Sequence, residues 1–143
     1  MNDLHTNLAN ICRRYGIITL YAFGSRASEA REFLNQEREE FEPTSSDLDI
    51  AVMPDAGADF GARARVRLSS EIEDLLEVQR VDLVVLSEAS AFLAADAVRG
   101  ELLYCDDPDR QAHEELYFLR RAGDLAHFEE ERLAGILSGE LRR

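Results

Sequence analysis

Asp47 and Asp49 stand two residues apart at the front of an apolar run, Leu48-Asp49-Ile50-Ala51-Val52-Met53. In extended chain, side chains two apart share a face. The two carboxylates therefore point to one side, and Leu48, Ile50 and Val52 to the other. Carboxylates held this close repel, and one tends to keep a proton unless a cation compensates. A hard divalent ion does so, and Mg²⁺ is ordinarily held by carboxylates together with substrate phosphates. The pattern alone is weak, because an acidic chain produces Asp-x-Asp by chance and Asp107-Pro108-Asp109 is a second instance. Asp82 is a third candidate, set in Val81-Asp82-Leu83-Val84-Val85-Leu86, a run expected to be buried. An unpartnered carboxylate is costly there. Backbone N–H groups or the adjacent Arg80 satisfy it in one reading. In the other, its strand lies beside that of Asp47 and Asp49, and the three carboxylates can hold two metal ions about 3.5–4 Å apart for an in-line phosphoryl transfer. Gly24-Ser25 supplies a complementary part. A glycine after a buried strand permits a tight turn, and the next helix start offers N–H groups to an anion. The Ser25 hydroxyl and the Arg26 guanidinium are within local reach of the same oxygens. The plain alternative is an ordinary strand-to-helix turn with a serine cap.

The elements that must position these residues follow from periodicity and breakers. Asn2 or Asp3 caps a first helix with Leu4, Leu8, Ile11 and Tyr15 at helical spacing, stopped by Gly16. Ile17 to Phe23 reads as a buried strand. A second helix starts near Ser25 and extends into the charged stretch Glu29 to Ser46, with Pro43, Thr44, Ser45 and Ser46 as breakers. Leu48 to Met53 is a second strand, Phe60 to Val78 an amphipathic helix and Val81 to Leu86 a third strand. Ser87 caps a helix running to Arg99 and ended by Gly100. Glu101 to Cys105 reads as an edge-like strand, and the chain from Pro108 onward as helix, with Gly123 a point of bending or breakage. The pattern is one α/β domain with a helical tail.

Composition narrows the function. With 143 residues, 45% hydrophobic and 31% charged, the chain has the size and balance of a globular domain. Its formal net charge is -13, and all 16 basic residues are arginines. A P-loop lysine, a lysine Schiff base and a lysyl-nucleotide intermediate are therefore excluded. The acidic field disfavours direct nucleic-acid binding, where Lys and Arg contacts to phosphate supply most of the affinity. It suits a basic protein partner or a ligand arriving with metal. The apolar runs are too short to span a bilayer, and no signal-peptide pattern opens the chain, so the expectation is a cytoplasmic protein without membrane contact. Cys12 and Cys105 show no ligand spacing and read as apolar fillers. His5, His113 and His127 form no metal motif and read as helix-surface residues.

The order of the weak signals is more informative than any one of them. Phe23-Gly24-Ser25-Arg26-Ala27, then Ser46-Asp47-Leu48-Asp49-Ile50-Ala51-Val52, then Val81-Asp82-Leu83 resembles the nucleotidyltransferase fold of the polymerase-β superfamily. Within it, the short length and near-N-terminal motif look like the minimal nucleotidyltransferases (MNT), the antitoxin partners of HEPN-domain ribonuclease toxins. The resemblance covers residues 1–105 and the tail only loosely. It implies a small mixed sheet flanked by helices, with a nucleotidyltransferase domain at 1–107 and a helical extension at 108–143 packed on it. It also implies transfer of AMP from ATP to a tyrosine hydroxyl of a HEPN toxin. Asp47 and Asp49 would then bind two Mg²⁺ ions, Asp82 would complete the catalytic metal site and help deprotonate the hydroxyl, and Gly24, Ser25 and Arg26 would hold the triphosphate. Twenty-one residues separate Ser25 from Asp47, about twice the usual separation in that family. The excess, Arg31 to Phe41, is expected as a solvated helix extension or as a flap over the nucleotide or toward the partner. Two other readings are a small-molecule nucleotidyltransferase of the aminoglycoside-modifying type and a non-catalytic antitoxin acting by binding alone. The base preference, acceptor residue and assembly stoichiometry have no signature in the sequence.

Overall fold

A computed structural model describes residues 3–42 and 46–138 of the chain. Helix α1 spans Asp3–Arg14, and Gly16, at φ 68°, turns the chain into strand β1, Ile17–Phe23. A 3₁₀ turn at Gly24–Arg26 leads into α2, Ala27–Leu34. Strand β2 (Leu48–Pro54), helix α3 (Ala62–Leu76) and strand β3 (Val81–Val85) follow, then α4 (Ala91–Val98), β4 (Glu101–Cys105) and α5 (Pro108–Ser138). The expected breakers Pro43, Thr44 and Ser45 lie outside the described residues, as does the alternative first cap Asn2.

The four strands form one mixed sheet in the order β3-β2-β1-β4. β1 pairs antiparallel with β2 and with β4, and β2 pairs parallel with β3. Alternation along the strands divides the apolar residues between two faces. Leu20, Ala22, Leu48, Ile50, Val52, Val81 and Val85 pack with Leu8, Ile11, Phe33, Leu68 and Ile72 from α1, α2 and α3. Tyr21, Phe23 and Ala51 pack on the opposite face with Ala94, Ala97, Val98 and Phe118 from α4 and α5. Asp49 and Asp82 belong to that second face by the same alternation.

Four expectations change. α2 stops at Leu34 instead of extending through the charged stretch, with Gln36 at φ 60°. The chain beyond folds back as a strap, neither a solvated helix nor a free flap. Phe41 is buried against Phe33, ring centroids 5.7 Å apart, and Arg38 binds the Glu32 carboxylate at 3.1 Å. Burying an aromatic ring outweighs prolonging an exposed, glutamate-rich helix. Ser90, not Ser87, caps α4, its Oγ accepting from the Leu93 N–H at 3.2 Å. Val81–Val85 is an edge strand, which leaves Asp82 exposed instead of buried.

The fourth change concerns the tail. α5 runs unbroken through Gly123, because Phe118 and Ala122 are buried at its midpoint and a lone glycine costs a helix only about 1 kcal/mol. Glu114 fastens the same helix to the sheet. One of its carboxylate oxygens accepts from the Thr19 and Tyr21 hydroxyls, each at 2.7 Å. Burial raises its carboxyl above the usual range, and the two hydroxyl donors only partly oppose this. Beyond Ala122, Leu125, Phe128, Leu133, Ile136 and Leu137 are exposed. No helix among the described residues is long and apolar enough to cross a membrane.

Candidate active site

The parallel pairing of β2 with β3 aligns Asp49 directly with Asp82. Strand neighbours lie about 4.8 Å apart, so two carboxylates on one face at matched positions confront each other. Asp47 stands at the mouth of β2, two residues before Asp49 and on the same side. The Asp49 carboxyl is raised above its ordinary value, first by burial and then by the negative charges of Asp82 and Asp47. That last pair of causes shows three acidic groups from two strands sharing one field.

The turn after β1 closes the site from the other side. Phe23 pairs with Asp49 across the β1–β2 ladder, so Gly24 comes to rest against the aspartate. Gly24 adopts φ 76°, and a Cβ built there would stand 2.5 Å from Asp49 Oδ2. Glycine is required twice over, by the left-handed backbone and by the close approach. Ser25 is exposed beside it at the start of the 3₁₀ turn. Gly24, Ser25, Asp47, Asp49 and Asp82 therefore gather at one end of the sheet, on the face that α1, α2 and α3 leave free.

Arg26 departs from expectation. Its guanidinium is turned inward, 7% exposed, donating to the carbonyls of Ser46 at 3.0 Å and Glu42 at 2.8 Å. It also pairs with Glu29 and lies 4.9 Å over the Phe41 ring. Those contacts commit it to the chain entering β2 and not to phosphate oxygens. Arg80 pairs with Asp47, not with its neighbour Asp82, through an exposed contact of 3.6 Å. Exposed pairs of this kind contribute little and exchange readily. The Arg26 clasp had no sequence signal beyond an arginine following Gly-Ser, since its partners lie 16 and 20 residues further on.

Among the described residues no three ligand-type side chains already converge on a single metal-binding point. The donor chemistry nonetheless fits a hard divalent cation: three carboxylates share a face, and Asp49 carries electrostatic repulsion that a cation relieves. Asp47, Asp49 and Asp82 are the residues that would hold such an ion.

The family model for polymerase beta nucleotidyltransferases matches residues 6–109. No curated protein sequence matches the chain. Among solved structures, a toxin–antitoxin with AMP-PNP is 24% identical, with TM-score 0.58 over 95% of this chain and 98% of that one. A tri-AMPylated Shewanella oneidensis HEPN toxin in complex with MNT antitoxin is matched at 24% identity and TM-score 0.56, over 98% and 99% of the two chains. The MntA–HepT toxin–antitoxin follows at 22% identity and TM-score 0.57, again over 98% and 99%. At these identities the likeness is one of fold.

Proposed function

Since the chain belongs to the polymerase beta nucleotidyltransferase family, we propose that it is an MNT-type antitoxin that transfers AMP from ATP to a tyrosine hydroxyl of a HEPN toxin. The observation that carries this reading is the pairing of Asp49 with Asp82 beside Gly24. It unites the carboxylates and the Gly-Ser turn in one site.

The roles follow from position. The backbone N–H groups of Gly24 and Ser25 and the Ser25 hydroxyl donate to the triphosphate oxygens, and the glycine lets those oxygens approach the backbone. Asp47 and Asp49 would hold the divalent cations, which would neutralise phosphate charge. Asp82 is exposed on the edge strand, which leaves it accessible to an incoming acceptor. A tyrosine hydroxyl has an ordinary pKa near 10, so its proton must leave as the new bond forms; Asp82 would complete the metal site and help to take that proton. The phenolic oxygen bonds to the α-phosphorus, the bond from that phosphorus to the bridging oxygen breaks, and pyrophosphate departs.

Two features support a protein acceptor. The far half of α5 carries exposed Leu125, Phe128, Leu133, Ile136 and Leu137, and unpaired apolar surface of this kind marks an interaction face. Asp124, Glu129, Glu130 and Glu131 flank it, which suits a basic partner such as an RNA-cleaving toxin. Intact-mass measurement of a candidate HEPN toxin partner, after incubation with this chain, ATP and Mg²⁺, tests the proposal. An increment of one or more AMP units on the toxin, lost with Asp49→Ala, is expected. An unmodified toxin that still forms the complex would leave neutralisation by binding alone.

A further inference from the structure

Arg26 connects two parts of the site that the sequence separates by twenty-one residues. It directly follows the Gly24-Ser25 turn, and its guanidinium bridges the carbonyls of Glu42 and Ser46, the latter immediately before Asp47. Glu29 completes the clasp from α2. It pairs with Arg26 at 3.4 Å and accepts from the Glu42 N–H at 2.7 Å. Phe41 supplies an apolar floor under the guanidinium plane. Arg26 is more than nine-tenths buried, and its donors go to Glu29, Glu42 and Ser46. A planar fork that meets two carbonyls at once fixes both distance and orientation, which an ammonium cannot do.

We infer that Arg26 is a positioning residue, bolting the phosphate-binding turn to the strand mouth so that Asp47 and Asp49 stand at a fixed distance from Gly24 and Ser25. The inference rests on the nucleotidyltransferase reading above. In it, Arg26 fixes Glu42 and Ser46 because a loose approach to the strand would let Asp47 wander. Without the clasp, the metal-binding carboxylates are intact but poorly aligned with the triphosphate. The cost of that misalignment falls on cation-dependent steps and not on folding.

Arg26→Lys separates these effects, since it keeps the charge and most of the stem packing while removing the fork. The probe is the Mg²⁺ dependence of binding AMP-PNP, followed by calorimetry, together with backbone amide exchange at Leu48 and Asp49 in metal-free protein. Expected are an approximately tenfold or greater rise in the Mg²⁺ concentration for half-maximal binding, faster exchange at those amides, and a melting temperature lowered only as far as the lost buried hydrogen bonds require. The transfer reaction should lose kcat with little change in KM for the toxin. Phe41→Leu, which removes the floor but no hydrogen bond, should move the same quantities in the same direction by less. If Arg26→Lys melts earlier but binds with unchanged Mg²⁺ dependence, its role is structural only and the inference fails. Affinity for AMP-PNP lost equally without Mg²⁺ would make Arg26 a direct phosphate ligand and also overturn it. Wild-type protein that binds no AMP-PNP with Mg²⁺ sinks the proposed function and this inference together, whereas wild-type binding with unaltered variants sinks this inference alone.

Discussion

Replacing Asp49 with asparagine should make the metal-free protein more stable while removing its activity. The reason is electrostatic. Asp49 faces Asp82 across the parallel β2–β3 pair and follows Asp47 on the same side, and its carboxyl is raised by burial and by both charges. Taking a separation of about 5 Å, Coulomb's law gives roughly 0.8 kcal/mol of repulsion in bulk water and roughly 3 kcal/mol at an effective dielectric of 20. Asp82 is exposed, so screening keeps the relief near the lower end, about 1 kcal/mol. For a chain of this size that raises the melting temperature by about 2–4 °C. The sign with Mg²⁺ is opposite. A ligand at a hundred times its dissociation constant stabilises the folded state by about 2.7 kcal/mol, and the asparagine variant should forfeit that gain. Thermal unfolding in EDTA and in saturating Mg²⁺ with AMP-PNP reads both shifts from one preparation. A variant less stable than wild type in EDTA would show that Asp49 is a structural acceptor and not a strained ligand, and an undiminished Mg²⁺ response would remove it from the metal site.

The same carboxyl gives a pH dependence. Because its folded-state pKa is raised, ionised Asp49 destabilises the metal-free fold, so that contribution to stability is lost as pH rises from the unfolded value through the folded one. Mg²⁺-dependent AMP-PNP binding should correspondingly weaken on acidification from a higher pH than an ordinary aspartate would produce, measured by titration at several pH values. Gly24→Ala places a Cβ 2.5 Å from Asp49 Oδ2 at φ 76°. The left-handed backbone alone costs about 1–2 kcal/mol, and nucleotide transfer should fall far more than stability does when both are assayed. Glu114→Ala strips the acceptor from the buried Thr19 and Tyr21 hydroxyls and should cost about 1–3 kcal/mol in denaturant unfolding. Glu114→Gln keeps an acceptor oxygen without the desolvated charge and should be neutral to stabilising at pH 7. Phe128→Asp, on the exposed face of α5, should abolish toxin complex formation in size-exclusion chromatography while leaving the melting temperature of the free chain unchanged.

Local chemistry was enough to read much of this molecule from its sequence. Ile17–Phe23 has the boundaries that a β-branched and aromatic run between Gly16 and Gly24 implies, and Glu101–Cys105 starts directly after Gly100. The two-residue period of Leu48, Ile50 and Val52 correctly separates a core face from the face carrying Asp49. The Gly-Ser turn likewise announces its conformation, because glycine at the end of a buried strand has few other uses. These are properties of residues a few positions apart.

Tertiary structure alone decided which distant pieces meet. That β2 and β3 are parallel neighbours in a register matching Asp49 with Asp82 depends on how α3 packs beneath them, which no local pattern encodes. Edge placement left Asp82 exposed although its neighbours in sequence are apolar, since a strand lying at a sheet margin keeps one side open. Arg26 turned from the expected phosphate toward Glu42 and Ser46, where backbone carbonyls needing donors and the Phe41 ring were brought within its reach. Periodicity along a chain reports which face a side chain occupies. Its partner on that face is chosen by the packing of the whole core, where the energy of burial is summed over elements far apart in sequence.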